Sequence, residues 1–219
     1  MLQAGKFITR SDGALTLDST NVKAERWEGD VQDLELISRQ DVTKYKSEHA
    51  QAGGSVSVTY GSGGGANFNA AYNSAKLNRA QVENQTSVDV GKGGMDVVVK
   101  GNTHFEGAVI RSQADKADNR FQTGTLTTKD IQNHSELKTK SVAINGGSGG
   151  INPASALSLL GNKNESSQST THSAVGENIH LTLTNDPNAE TTLKQLNHQQ
   201  VITGHLWNEF KVFVLAIEF

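Results

Sequence analysis

The hydrophobic positions of this chain fall in short alternating runs rather than in helical stripes. Leu15 and Leu17 stand two apart, followed by a turn and Asn21-Val22; Leu34 and Leu36 repeat that spacing 19 residues later, followed by Asp41-Val42. Period-2 alternation marks half-buried strands, and recurrence of a whole unit near 20 residues marks stacked coils. Gly54–Tyr60 predicts a further strand with Val56, Val58 and Tyr60 on one face. It runs into the small-residue stretch Gly61–Gly65, a loop or hairpin projecting from the stack. Asn73–Val82 has no settled period and is compatible with a short helix.

The clearest block is Gly94 to Ile144. Met95–Lys100 predicts a strand, Gly101-Asn102 a turn and His104–Ile110 a second strand. The unit returns as Thr123–Thr128 and Asp130–Leu137, and Ser141–Ile144 begins a third. Beyond it, Gly146–Gly150 and the polar run from Asn162 to Thr171 predict a flexible linker or long loop. Asn178–Thr184 is another strand, and Ala189–Leu196 a short helix with Asp186 or Asn188 near its start.

Composition sharpens this picture. Among 219 residues, hydrophobic residues make up 35% and aromatics only 5%, with 22 Gly and 2 Pro. That argues against a thick aromatic core and suits either a thin aliphatic core repeated along a stack or partial disorder; the alternating strands favour the stack. The net charge of −3 supplies no basic field for nucleic acid or anionic lipid. The absence of cysteine is compatible with passage through an oxidising compartment. No apolar run is long enough to span a bilayer as a helix, and the start carries no secretion signal, so a fragment of something longer is expected.

Lys100–Ile110 resembles the haemagglutinin repeat of filamentous-haemagglutinin-like exoproteins, including contact-dependent growth-inhibition effectors. Thr123–Leu126 through Asp130–Asn133 is similar to the segment that follows in that repeat, and Gly146–Thr171 with Thr171–Val175 and the strand at Ile179 to the end of such a region. The resemblance covers roughly residues 13 to 197. It implies a right-handed parallel β-helix, export to the cell surface by an outer-membrane two-partner-secretion transporter, and contact with a receptor on a host or neighbouring cell. It implies no catalytic residue, cofactor or metal. His198 to Phe219 departs from the family and reads as an atypical, truncated or frame-shifted tail.

Other chemistry is thin. The seven histidines, at 49, 104, 134, 172, 180, 198 and 205, stand singly, without ligand spacing. Gly91–Asp96 and Gly146–Asn152 approach a calcium nonapeptide but lack the tandem copies that such binding needs. Val82–Gln85 is one residue from a Val-Glu-Asn-Asn landmark of the growth-inhibition family, out of place. Asn84, Asn133 and Asn164 head formal glycosylation sequons. Asp96, Glu106, Asp130 and Glu136 could line a groove in a polysaccharide lyase or hydrolase built on the same fold, the alternative to an adhesin or toxin-delivery fibre.

The sequence therefore predicts an all-β solenoid, a right-handed parallel β-helix with a flexible Gly/Ser/Asn-rich segment and an irregular end. Residues 1–145 form the repeats, 146–171 the linker, 172–197 a terminal strand and helix, and 198–219 the tail. Leu126→Asp tests the coil assignment. It places a charge in the thin interior, and the expected result is a large loss of β signal in far-UV circular dichroism and a lower melting temperature; an unchanged spectrum and melt contradict it.

Overall fold

In the computed structural model of the chain, residues 1–153 and 162–197 are described. They are mostly strand, with one α-helix among the described residues. The chain groups into two units. One holds Met1–Arg39, Val82–Ile131 and the residues from Thr170 onward; the other holds Gln40–Gln81 and Gln132–Ser169.

The first unit is a parallel sheet made of successive rungs. β1 (Leu2–Asp18) lies in register on β2 (Asn21–Ile37), with Leu15 on Leu34 and Leu17 on Leu36, the pairing expected from the alternation. β2 carries β5 (Ser87–Val90) and β6 (Met95–Glu106) side by side. These carry β7 (Val109–Ser112) and β8 (Asn119–Lys129), which in turn carry β12 (Ala174–Val175) and β13 (His180–Leu183). All of these pairings are parallel.

Register makes the core. Each inward position stands on an inward position one rung away, so columns of similar side chains form. Val22, Val88, Ile110 and Val175 make one buried column, and Leu17, Leu36 and Phe105 belong to another. Trp27 is wholly buried, its ring 5.7 Å from that of Phe7 and 6.0 Å from that of Phe121. Its indole Nε1 donates to the Thr9 hydroxyl at 3.1 Å, as a buried indole requires. Such columns bury much apolar area with few aromatics, which is how a 35% hydrophobic chain builds a core.

Two features depart from the sequence reading inside the ladder: the turn expected at Gly101-Asn102, and the strand expected over His104–Ile110, which is broken by a corner at Gly107. Gly101-Asn102 is not a turn: β6 runs through it, and the register shifts there as it does at Val31/Leu34 and Ser11/Ala14. The extra residues form a bulge at matching height in the pairings of β1 with β2, β2 with β6 and β6 with β8, and Asp33 Oδ1 accepts the Asn102 amide there. At the corner before each new rung the backbone forms its own ladder, Ser19 to Ile37, Ser38 to Glu106 and Gly107 to Lys129. Ser19 and Gly107 take positive φ, 50° and 57°, and turn straight into the next strand. After Ser38 and Asp130 the chain instead leaves the ladder. It returns at Thr86 and Ser173, where Val109 donates to Thr86 and Ala174 to Ala108.

What lies between forms the second unit, and it is antiparallel. β3 (Asp41–Thr59) and β4 (Gly63–Gln81) make an unbroken hairpin turned at Gly61 and Gly63, both with φ near 90°. β9 (Ile131–Gly147) pairs antiparallel with β4, β10 (Gly150–Ile151) folds back on β9, and β11 (Lys163–Thr171) pairs with β9. The hairpin read from Gly61–Gly65 is present. Asp41-Val42, however, opens this hairpin rather than a coil. Asn73–Val82 is not helical, because Asn73 to Gln81 lie in β4 between β3 and β9, and that pairing overrides weak local preference. Ser141–Ile144 starts no third repeat: it faces Ala70–Asn73 across an antiparallel ladder. The segment read as a linker contains a strand at Lys163–Thr171, and its residues 154–161 lie outside those described.

α1 (Ala189–Asn197) matches the expected helix. Asp186 accepts from the Asn188 amide and the Thr192 hydroxyl, both at 2.8 Å, and Leu196 reaches the core. The tail 198–219 lies outside the described residues. Leu34→Ala, at a site with no exposed surface, is expected to cost about 2–5 kcal/mol in urea unfolding. Val58→Ala, 84% exposed, should stay within about 0.5 kcal/mol.

Candidate functional surface

The outward side chains of the first unit form a second ladder, of charges. Arg120 binds Asp96 at 2.7 Å, Lys129 binds Glu106 at 2.7 Å and Arg111 binds Asp89 at 2.6 Å, each across adjacent rungs. Lys6 binds Glu28 at 2.8 Å and Lys100 binds Asp30 at 3.0 Å in the same way. At the corner Arg39 grips both carboxylate oxygens of Asp18. That guanidinium holds the Asp18 carboxyl below its ordinary range, and Lys6 with Arg26 does the same for Glu28. Asp18 in turn raises Arg39.

This ladder decides the fate of the four carboxylates singled out in the sequence. Asp96 and Glu106 are braced by cations of the next rung. Asp130 accepts from the Ser173 amide and sits 2.7 Å from His172 Nδ1, tying the chain where it rejoins the stack. Glu136 lies in the second unit, paired with Lys138. Each carboxylate therefore has its own neighbour.

The histidines are equally dispersed. His104 meets the Thr127 hydroxyl at 2.8 Å, while His49, His134 and His180 are exposed on strands; His198 and His205 lie outside the described residues. Among the described residues no three His, Asp or Glu side chains gather as a metal would need. The glycines of Gly91–Gly94 serve packing. A Cβ at Gly93 would sit 2.7 Å from the Glu25 carbonyl, and one at Gly94, where φ is +68°, would strike the Asp118 carbonyl. Of the three sequons, Asn84 and Asn164 are exposed and Asn133 is buried.

Sequence reasoning missed one buried polar device. Asn119, with no exposed surface, donates to the carbonyls of Ala114, Asp115 and Asn178, and accepts from Ser112 Oγ at 2.7 Å. Asn178 donates back to Ser112 and Ala114. The pair closes the corner beside the 3₁₀ turn Lys116–Asp118. The only signal available was an Asn where the column otherwise holds Phe7, Trp27 and Met95.

The second unit presents a different surface. One face of its sheet carries Ala50, Ala52, Val56, Val58, Phe68, Tyr72, Val142 and Ile144 towards the hairpin tip, with Lys44, Lys46, Lys76 and Lys138 nearer its base. Val56 and Val58 are 80% and 84% exposed. Solvent-facing apolar side chains in a contiguous patch mark contact surfaces.

A ladder of parallel rungs, aliphatic inside and charge-braced outside, is a repeat-built scaffold. The comparisons agree. Residues 2–52, covering β1, β2 and the start of β3, match the haemagglutinin-repeat family model. The tRNA nuclease CdiA of Escherichia coli O6:K15:H31 is 31% identical over 92% of the chain, the deoxyribonuclease CdiA of Yersinia pseudotuberculosis 35% over 72%, and a tRNA nuclease CdiA of Burkholderia pseudomallei 49% over 32%. The chain spans only 6%, 15% and 6% of those relatives. No solved structure matches. The chain belongs to the haemagglutinin-repeat region of filamentous-haemagglutinin-like, contact-dependent growth-inhibition exoproteins. Exoproteins of this family are secreted and displayed at the cell surface in association with the outer membrane.

The charge ladder has a pH signature. A carboxyl lowered by folding contributes stability above its unfolded value and loses it as pH falls through the folded one. The stability difference between the wild type and an Asp18→Asn, Glu28→Gln double variant should therefore be full at neutral pH. It should close as pH drops below the ordinary values of 3.8 and 4.5. Added salt should shrink the difference at neutral pH, read by thermal unfolding.

Proposed function

We propose that this chain is a segment of a right-handed parallel β-helix in a secreted bacterial exoprotein, serving adhesion or the delivery of a C-terminal toxin to a neighbouring cell. The observation that carries the proposal is the in-register parallel ladder of rungs, because stacking of this kind extends a rod without any new fold. Parallel crossovers are right-handed with few exceptions, which supplies the hand. The rungs resist bending through continuous backbone pairing and through ion pairs that bridge neighbours. Export by an outer-membrane transporter and contact with a receptor on the target cell belong to the same reading.

The segment acts mechanically. Nuclease names belong to relatives of which this chain matches a small share, and the haemagglutinin repeat itself is non-enzymatic. A lyase or hydrolase would need carboxylates free to share one substrate, whereas Asp96, Glu106 and Glu136 are each held beside a cation and Asp130 beside His172.

The test is a chimera in which this chain replaces the matched stretch of the E. coli relative. With Leu34→Asp in the stack, surface display, binding to target cells and growth inhibition should fall by at least about tenfold, as loss of a folded rung implies. Nuclease activity of the toxin assayed in lysate should not change. Full inhibition and full binding by the Leu34→Asp chimera contradict the proposal. Loss of inhibition with binding intact favours delivery over adhesion.

A further inference from the structure

We propose that the outer edge of β3 is a self-association edge, taken by β3 of a second copy of this chain running antiparallel about a two-fold axis at Gly54. The inference stands on the second unit alone and does not depend on the fibre reading. Among the described residues β3 pairs only with β4, from Asp41 on Gln81 to Thr59 on Gly63, without a bulge. Every residue of β3 but Ser47 is exposed. The opposite backbone row of such a strand is a template for another strand.

Proteins guard such edges with lysine, proline or bulges. The guard on β3 stops halfway. Lys44, Lys46 and Glu48 occupy its first half, whereas Ala50 to Thr59 contains no charge, no proline and no break in register. The unguarded half is also self-complementary. A two-fold at Gly54 sets Ala52 opposite Val56 of the second copy, and Ala50 opposite Val58, on the apolar face. It sets Gln51 opposite Ser57, and Gly53 opposite Ser55, on the polar face. Residues directly opposite in an antiparallel pair share a face, so the apolar surface carrying Phe68, Tyr72, Val142 and Ile144 continues from one copy into the next. Glycine on the axis places no side chains against each other there.

The charges agree with this choice of partner. With the axis at Gly54, Lys44 and Lys46 lie beyond the last paired residue of the second copy's β3, so no lysine opposes a lysine across the join. Slipping the register by one residue would set the apolar face of one copy beside the polar face of the other. The result is an isologous dimer with closed symmetry, which uses the same edge on both copies.

Sedimentation velocity on the full chain, from about 1 to 100 µM, tests the proposal. Monomer and dimer in concentration-dependent exchange is the expected result. The double variant Ala52→Lys, Val56→Lys opposes like charges twice across the axis and should weaken the dimer about tenfold. The double variant Ala52→Lys, Val56→Glu opposes unlike charges at the same positions and should restore it; because both pairs of substitutions sit on exposed positions, an unchanged far-UV spectrum is expected for both. A monomer throughout the range overturns the proposal. So does equal dimerisation of the two doubles, equal loss in both, or binding of a strictly monomeric chain to phosphatidylcholine–phosphatidylglycerol vesicles, which would assign the apolar face to lipid.

Discussion

Parallel pairing of one rung on the next sets each side chain on its counterpart from the rung before, whether the intervening chain is about 20 residues, as between β1 and β2, or is lengthened by an excursion. That single constraint produces most of what the first unit shows. It turns a sparse set of aliphatic residues into continuous columns, places the bulge at one height in successive rungs, and brings acids and bases of adjoining rungs within ion-pair reach. Trp27 shows the constraint at its tightest, with Phe7 on one side of it in the ladder and the rest of the core on the other. Stability in such a structure is a sum of neighbour terms, so a substitution in one rung is felt by the rungs that touch it and little beyond.

The ladder also explains how the chain tolerates two large excursions. Ser38 and Asp130 occupy the corner position at which Ser19 and Gly107 turn directly into the next strand. An insertion there breaks no column, because the backbone bond expected of the corner is made on both sides of the gap. Buried hydroxyls fasten the return points: Ser38 Oγ donates to the Gly107 carbonyl and accepts the Thr86 amide, and Ser173 Oγ accepts the Gly107 amide. The inserted residues then satisfy one another as an antiparallel sheet.

How much of this was legible in the sequence follows from that division. The pairing of Leu15 with Leu34 and Leu17 with Leu36 was readable because inward residues repeat in kind. The hairpin was readable from its glycines, and α1 from Asp186 ahead of a short amphipathic run. What failed was the assignment of Asp41-Val42, of Asp130–Leu137 from Gln132 onward, and of Ser141–Ile144 to the stack. Alternation reports a strand but not its partner, and antiparallel strands of the second unit alternate just as rungs do. Gly101-Asn102 misled because a glycine in a bulge and a glycine in a turn look alike in one dimension. Asp96 and Glu106 lie outward on strands of the stack as read, but their cations, Arg120 and Lys129, lie one rung away and are visible only once register is known; Asp130 sits at a corner between strands and Glu136 in the second unit. Asn119 was not legible because its partners are a hydroxyl and carbonyls of the corner Ser112–Asp115 and the distant Asn178 carbonyl, which come together only in the folded stack.

Because the chain has no cysteine, the register of the ladder can be tested by thiol cross-linking. Glu35 and His104 are direct partners on adjacent rungs, whereas Glu35 and Gln122 are not. In the variant Glu35→Cys, His104→Cys a short bifunctional thiol reagent should close an intramolecular link, read by mass spectrometry of the digested monomer. The variant Glu35→Cys, Gln122→Cys should leave both thiols reacted singly. Efficient closure of the second pair, or none in the first, would contradict the ladder and the account of the fold built on it.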